Sequence, residues 1–128
     1  MFVGAAIGAI LRLSPEELQA LQQLLPKSSL EKSYWIAVSL TGGFCEEVLY
    51  RGYLFKQARA VTGSLAVALV FQAGMYAIAH VTLPLKIVAS VSVLGLFLGG
   101  LASWRKSLVP GMIAHSGISL VGGLFSSM

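Results

Sequence analysis

Long uncharged stretches are the feature that most constrains the fold of this chain. Residues 64–83 contain no Asp, Glu, Lys or Arg, and the apolar segments on either side carry only a few charges. A helix of about 20 residues spans about 30 Å, which matches the hydrocarbon thickness of a bilayer. The pattern therefore predicts membrane-spanning helices.

The composition also favours a membrane protein of one domain. Apolar residues make up 56% of the 128 residues, and the mean hydropathy is +0.82. Charged residues are only 11%, whereas a soluble domain averages about 25%. The nine Lys and Arg residues give a net charge of +4, but they are scattered between apolar runs. This distribution is typical of anchors at a membrane interface and argues against a nucleic-acid partner.

The N-terminal region, residues 1–32, is expected to flank the membrane core. Residues 1–13 form a short apolar segment that lacks the basic start of a signal peptide, and we expect further helix upstream of it. Ser14 and Pro15 then begin a helix, because Ser caps helix N-termini and Pro fits the first helical turn. Its leucines share one face, so we predict an interfacial helix that ends at Pro26.

The membrane core, residues 33–128, follows a polar link over residues 27–32. The predicted spans are residues 34–55, 64–83, 85–104 and 108–125. We therefore expect an all-α fold, a multi-pass transmembrane helical bundle of about four spanning helices, with the short apolar segment and the interfacial helix ahead of it. The basic residues divide equally between the two sides, so the membrane orientation is not decided.

Small residues at four-residue spacing predict close packing between these helices. Gly95 and Gly99 are followed by Gly100, and Gly111 shares a helix face with His115. Glycine lets helix backbones approach each other in lipid, although it is also common in membrane helices generally. The spacing predicts a close helix contact along the third span.

Three charged residues interrupt the first long apolar segment. A charge at the bilayer centre costs at least about 2.5–3.5 kcal/mol, so Glu46, Glu47 and Arg51 need an explanation. Glu47 and Arg51 are four residues apart, and we interpret them as a structural ion pair that offsets the cost of both. Glu46 lies about 100° around the helix and lacks this partner. It is therefore a candidate general base.

The two histidines of the chain lie on other predicted helices. His80 is near the end of the second span, and His115 is in the middle of the fourth with Ser119 one turn later. Together with Glu46 they form a set that can hold a water or a metal ion. In one mechanism Glu46 activates a water that His80 orients, and His115 with a neighbouring donor stabilises the oxyanion. In the other, Glu46, His80 and His115 bind zinc, which activates the water.

These residues resemble the motifs of the CPBP family, which includes the CAAX prenyl endopeptidases and the bacterial Abi and bacteriocin-processing proteins. Residues 46–52 (EEVLYRG) are similar to its EExxxRG motif. Residues 76–80 (YAIAH) resemble its FxxxH motif, and residues 115–119 (HSGIS) resemble HxxxN or HxxxD. The likeness covers about residues 33–125.

The resemblance implies an integral, multi-pass membrane endopeptidase, in the plasma membrane of a prokaryote or in an organelle membrane. It implies hydrolysis of a peptide bond in a membrane-associated or prenylated (CAAX-type) substrate, so membrane lipid and a peptide or lipidated protein are the expected partners. Glu46 would activate the water, and His80 and His115 would be catalytic. The family has been described both as a metalloendopeptidase family and as metal-free, so zinc remains an alternative and no other cofactor is expected.

Two positions depart from these motifs. Tyr76 replaces Phe and adds a hydroxyl, and Ser119 replaces Asn or Asp. Because the Ser hydroxyl is shorter than an Asn side chain and donates one hydrogen, Ser119 would support an oxyanion less well. A catalytically weak membrane binding or immunity factor that uses the same cavity is therefore the alternative function. A small proton or ion channel is a third, because buried Glu and His also mark proton paths.

Overall fold

The computed structural model describes residues 12–126, and this part of the chain is all-helical, as predicted. The elements are α1 (Pro15–Leu24), α2 (Ser29–Glu46), a π-helical segment (Glu47–Leu54), α3 (Phe55–Thr62), α4 (Leu65–Ile78), α5 (Leu85–Arg105) and α6 (Val109–Ser126). The π-helical segment joins α2 to α3 without a break, so one continuous helical run extends from Ser29 to Thr62. The predicted apolar segment at residues 1–13 lies almost entirely outside the described residues.

The helix lengths agree only in part with the predicted spans. Among the described helices, α5 alone is both long and apolar enough to cross a membrane, whereas α4 and α6 are apolar but shorter. The predicted second span was too long, because α4 ends at Ile78 and the chain then turns. His80 therefore lies in the turns before Pro84 and not within a helix.

Helix α1 begins where the sequence predicts. The Glu17 N–H donates to Ser14 Oγ (3.2 Å), and the Ser14 N–H donates to Glu17 Oε2 (2.7 Å), which makes a capping box. The hydrogen bond from Ser14 and then that from Lys86 Nζ (3.0 Å) hold the pKa of Glu17 below its usual value. The contact with Lys86 ties α1 to the start of α5. No residue of α1 is buried, so the helix lies at the periphery of the bundle.

The predicted polar link at residues 27–32 is mostly helical. The Glu31 N–H donates to Ser28 Oγ (3.2 Å) and the Ser28 N–H donates to Glu31 Oε2 (3.0 Å), so a second capping box starts α2 at Ser29. The prediction was wrong because it was based on the charged residues of this stretch. The capping-box pattern, Ser28 followed three residues later by Glu31, indicates a helix start instead. Lys56 and Arg59, which lie between the first two predicted spans, are also helical. This helix ends at Gly63, whose φ of 67° is left-handed.

The predicted glycine contact along α5 is confirmed, and it is made with α4. A Cβ on Gly95 would lie 3.2 Å from the Cα of Ala73, and one on Gly99 would overlap the side chain of Gln72. Gly100 has no neighbour within 4 Å of that position, so it does not contribute. This close approach packs α5 directly against α4, and the carbonyl of Gly95 also accepts a hydrogen bond from Arg51 of the π-helical segment.

Candidate active site

The π-helical segment Glu47–Leu54 holds the charged residues of the candidate site. The N–H of Phe55, just after the segment, donates to the carbonyl of Tyr50, five residues back, which makes a wider turn than an α-helix. Tyr50 and Arg51 are buried in this segment, as is Glu47. Such turns are rare and occur frequently at functional sites. The π-helical segment could not be predicted from the sequence, because the apolar pattern there does not distinguish a π turn from an α turn.

Glu47 and Arg51 form a buried ion pair, as their spacing predicts. Glu47 Oε1 lies 3.0 Å from Arg51 Nη1, and both side chains are 0% exposed. The Arg51 guanidinium carbon lies 4.6 Å from the centre of the Tyr76 ring, and Nη2 donates to the carbonyl of Gly95 (3.4 Å). Arg51 therefore joins the π-helical segment to both α4 and α5.

His115 connects this ion pair to Glu46. Its Nδ1 lies 3.2 Å from Glu47 Oε1, and its Nε2 lies 3.5 Å from Glu46 Oε2. The Tyr76 hydroxyl lies 3.0 Å from the same Nε2. A neutral ring that donates from Nδ1 to Glu47 and accepts the Tyr76 hydroxyl at Nε2 satisfies both short contacts. The ring is thus fixed on two sides, and the residue is only 6% exposed.

His80 joins the cluster through Tyr76. Its Nδ1 lies 2.9 Å from the Tyr76 carbonyl oxygen, a contact in which Nδ1 carries the hydrogen and donates it. The His80 ring also meets the Tyr76 ring edge to face, with 4.7 Å between the centroids. This arrangement leaves Nε2 of His80 as the nitrogen available to a ligand.

One cavity of about 290 Å³ brings the sequence-predicted residues together. Glu46, His80, His115 and Ser119 all line it, and so does Tyr76. The rest of the lining is mainly apolar, with Val, Leu, Ile and Trp side chains from α2, α5 and α6. The Glu46 side chain is 34% exposed, whereas that of Glu47 is fully buried. The two neighbouring carboxylates therefore have different environments, and only Glu46 borders the cavity.

Two residues of the cluster have contacts that the sequence analysis did not anticipate. Glu47 was predicted to pair with Arg51, and the oxygen that forms this pair also contacts His115. Tyr76 was predicted only to add a hydroxyl, and this hydroxyl contacts His115 directly. The extra hydroxyl at a motif position that usually holds Phe was the available signal.

The zinc hypothesis does not fit the geometry of this cluster. Among the described residues, no three His, Cys, Asp or Glu side chains converge on a point that could hold a metal ion. Both ring nitrogens of His115 already have partners, so a metal on Nε2 would displace the Tyr76 hydroxyl. We therefore derive no step through a metal bound by Glu46, His80 and His115.

Replacing Gly111 by Ala is expected to disturb the buried carboxylate of Glu47. A Cβ on Gly111 would lie 2.5 Å from Glu47 Oε2 and 3.2 Å from its Cδ, and overpacking of this kind costs about 1–3 kcal/mol. Gly117→Ala on the same helix is the matched control, because nothing lies within 4 Å of the new methyl group. Unfolding measurements in detergent give the stabilities of both variants. Equal stabilities of Gly111→Ala and Gly117→Ala would contradict the close contact between Gly111 and Glu47.

Comparison with known proteins gave one match. The model of a family described as type II CAAX prenyl endopeptidase, Rce1-like, matches residues 28–121. This range contains all the cluster residues from Glu46 to Ser119. Neither the curated proteins nor the solved structures gave a match.

Proposed function

The chain belongs to the Rce1-like family of type II CAAX prenyl endopeptidases, a membrane-embedded protease family. From this membership we propose that it is an intramembrane endopeptidase that hydrolyses a peptide bond in a prenylated, CAAX-type substrate. The observation that carries the proposal is the contact of Glu46 with His115 at the edge of a cavity that His80 also lines. Peptide hydrolysis needs a base, room for a water and a donor for the oxyanion, and we assign these roles to Glu46, the cavity, and His115 with Tyr76.

In the proposed mechanism Glu46 takes the proton from the attacking water. Its Oε2 has no hydrogen-bond partner among the described residues, although His115 Nε2 lies 3.5 Å away. A carboxylate that is only one-third exposed and free of strong hydrogen bonds can accept a proton without first losing another contact. His80 would hold the same water through Nε2, because its Nδ1 is engaged by the backbone.

Glu46 would pass the proton of the water to Nε2 of His115, which lies 3.5 Å from its Oε2, and this would release the Tyr76 hydroxyl from that nitrogen. The new Nε2–H and the Tyr76 hydroxyl would then both donate to the oxyanion that forms on the attacked carbonyl. Glu47 accepts from Nδ1 of His115 and so fixes the ring, and this contact would also stabilise the ring if it became protonated during the reaction. The Tyr76 hydroxyl is a second donor at the cavity. It would compensate for Ser119, which provides a shorter donor than the Asn of the family motif.

We further propose that α2, α4, α5 and α6 all cross the membrane. The support is the outer surface of the bundle, where large apolar side chains are exposed on each of these helices: Val38, Val70, Phe97 and Ile113 are between 64% and 69% exposed. Lipid would cover such a surface, whereas water would not favour it. The substrate would then reach the cavity from within the bilayer.

A cleavage assay tests the proposed function. The purified protein in lipid nanodiscs is given a fluorogenic peptide that ends in a prenylated Cys and three further residues, and the same peptide without the prenyl group. We expect cleavage of the prenylated peptide, and we expect that a chelator leaves the rate unchanged. No cleavage of either peptide would refute the protease, whereas cleavage that stops with the chelator and returns with zinc would refute the metal-free mechanism.

A binding or immunity factor is the second candidate, and Ser119 is the observation that favours it. If the donor set is too weak for catalysis, the cavity would still hold a peptide. The same assay separates the two functions, because this candidate predicts saturable binding of the prenylated peptide without cleavage. Ser119→Asn would then be expected to restore some hydrolysis.

A further inference from the structure

A second and larger cavity has Arg51 in its lining and contains none of the carboxylates of the candidate site. Its volume is about 430 Å³, and it shares no lining residue with the first cavity. Its lining comes from the π-helical segment, α3, the end of α5 and the link to α6, and it includes Arg51, Lys56, Ser103, Lys106, Ser107 and Leu108. We call it the basic cleft.

The basic cleft is positively charged without a counter-ion of its own. Lys56 and Lys106 line it, no acidic residue does, and neither lysine has an acidic partner within the described range of the chain. Both lysines are exposed, and two unpaired ammonium groups on one cavity give it a positive potential that favours an anionic ligand.

Arg51 provides an independent sign of a ligand. It is only 1% exposed, yet its Nε has no hydrogen-bond partner among the residues that the structure describes. Buried polar groups are normally hydrogen-bonded, so an unpartnered guanidinium N–H in the wall of a cavity is unusual. Glu47 and Gly95 engage other atoms of the same side chain, so Nε is left without a partner on a residue that lines the cleft.

The start of α6 adds to the positive potential at the same place. Ser107 and Leu108 line the cleft and immediately precede the helix, and the Val109 N–H is capped by Ser107 Oγ (3.3 Å). The Val109 N–H is taken by Ser107 and Pro110 has no N–H, so the helix contributes mainly the positive end of its dipole, which favours an anion. Ser103 supplies a further hydroxyl from the last turns of α5.

We propose that the basic cleft binds a phosphate group. Ammonium groups, a guanidinium, hydroxyls and a helix N-terminus together are the groups that phosphate recognition uses. Trp104, which is 76% exposed and stacks with Arg105 at 5.6 Å, lies at the same end of α5. Because Trp and Arg are typical of a membrane interface, the headgroup of an anionic lipid is the first probe and inorganic phosphate is the second.

Binding measurements on a matched pair of variants test the site. The full chain in a zwitterionic detergent is titrated with dihexanoyl phosphatidic acid, with dihexanoyl phosphatidylcholine and with inorganic phosphate, and the shift in its unfolding temperature gives the affinity. Lys56→Gln with Lys106→Gln removes two charges from the cleft. As the control, Arg59→Gln with Arg105→Gln removes two charges from exposed residues of α3 and α5 that do not line the basic cleft.

We expect phosphatidic acid to bind the wild type at least tenfold more tightly than the double lysine variant, since each lysine near an anionic lipid contributes about 1 kcal/mol, or about fivefold. The arginine variant should stay within about twofold of the wild type. Binding of inorganic phosphate with the same dependence on the lysines also supports the site and identifies free phosphate as its ligand. Equal affinities of the two double variants, or no preference for phosphatidic acid and inorganic phosphate over phosphatidylcholine, would overturn the proposal.

Discussion

Replacing Glu46 by Gln is expected to abolish peptide hydrolysis and to leave the helical bundle folded. Gln has almost the same size as Glu but cannot take a proton from water. General bases contribute about 10²- to 10⁴-fold to rate, so we expect the cleavage of the prenylated peptide to fall by at least about a hundredfold. The fold should tolerate the change, because Glu46 is partly exposed and Oε2 makes no hydrogen bond to the described residues.

The Glu46→Gln experiment needs both an activity and a stability readout. Glu16→Gln is the matched control, since it makes the same chemical change on an exposed residue of α1, away from the cavity. We expect the unfolding temperatures of both variants to stay close to that of the wild type, with full activity in the control. Hydrolysis by Glu46→Gln at more than a tenth of the wild-type rate would contradict the assignment of Glu46 as the base.

The parts of the fold that the sequence predicts best are those where composition changes abruptly. The bounds of α5 and α6 differ from the predicted spans by about one residue, because basic residues and Pro84 mark their ends. The end of α4 could not be found in this way, since residues 79–83 are as uncharged as the helix before them. Absence of charge indicates a membrane environment but does not distinguish a helix from the turns that follow it.

The residues of the candidate site were easier to predict from the sequence than the contacts between them. Charged and imidazole groups in apolar segments are rare enough to identify Glu46, His80 and His115 directly. Which of them touch depends on how each helix is rotated about its axis, and the π-helical turn changes that rotation for every residue after Glu46. The contacts of His115 with Glu47 and Tyr76 are therefore properties of the packing, and only the Glu47–Arg51 pair, within one helical turn, followed from spacing.

The second large effect is expected from Glu47, and it concerns folding. Glu47→Ala would leave the guanidinium of Arg51 buried without its carboxylate, and His115 would lose the acceptor for Nδ1. Removing one partner of a buried ion pair costs about 3–5 kcal/mol, which is a large part of the about 5–15 kcal/mol that stabilises a typical domain. We therefore expect a severe loss of folded protein on expression and a much lower unfolding temperature for the fraction that folds.

A double variant separates a stranded charge from a simple loss of packing. In Glu47→Ala with Arg51→Met the buried charge is removed along with its partner, and replacing both members of such a pair by apolar groups is often close to neutral. We expect the double variant to regain at least about half of the stability lost in Glu47→Ala, and to hydrolyse the peptide poorly because His115 is no longer fixed. Folded yield and denaturant unfolding of the two variants measure the coupling. If Arg51→Met only adds its own loss to that of Glu47→Ala, the pair does not stabilise the fold through its charges.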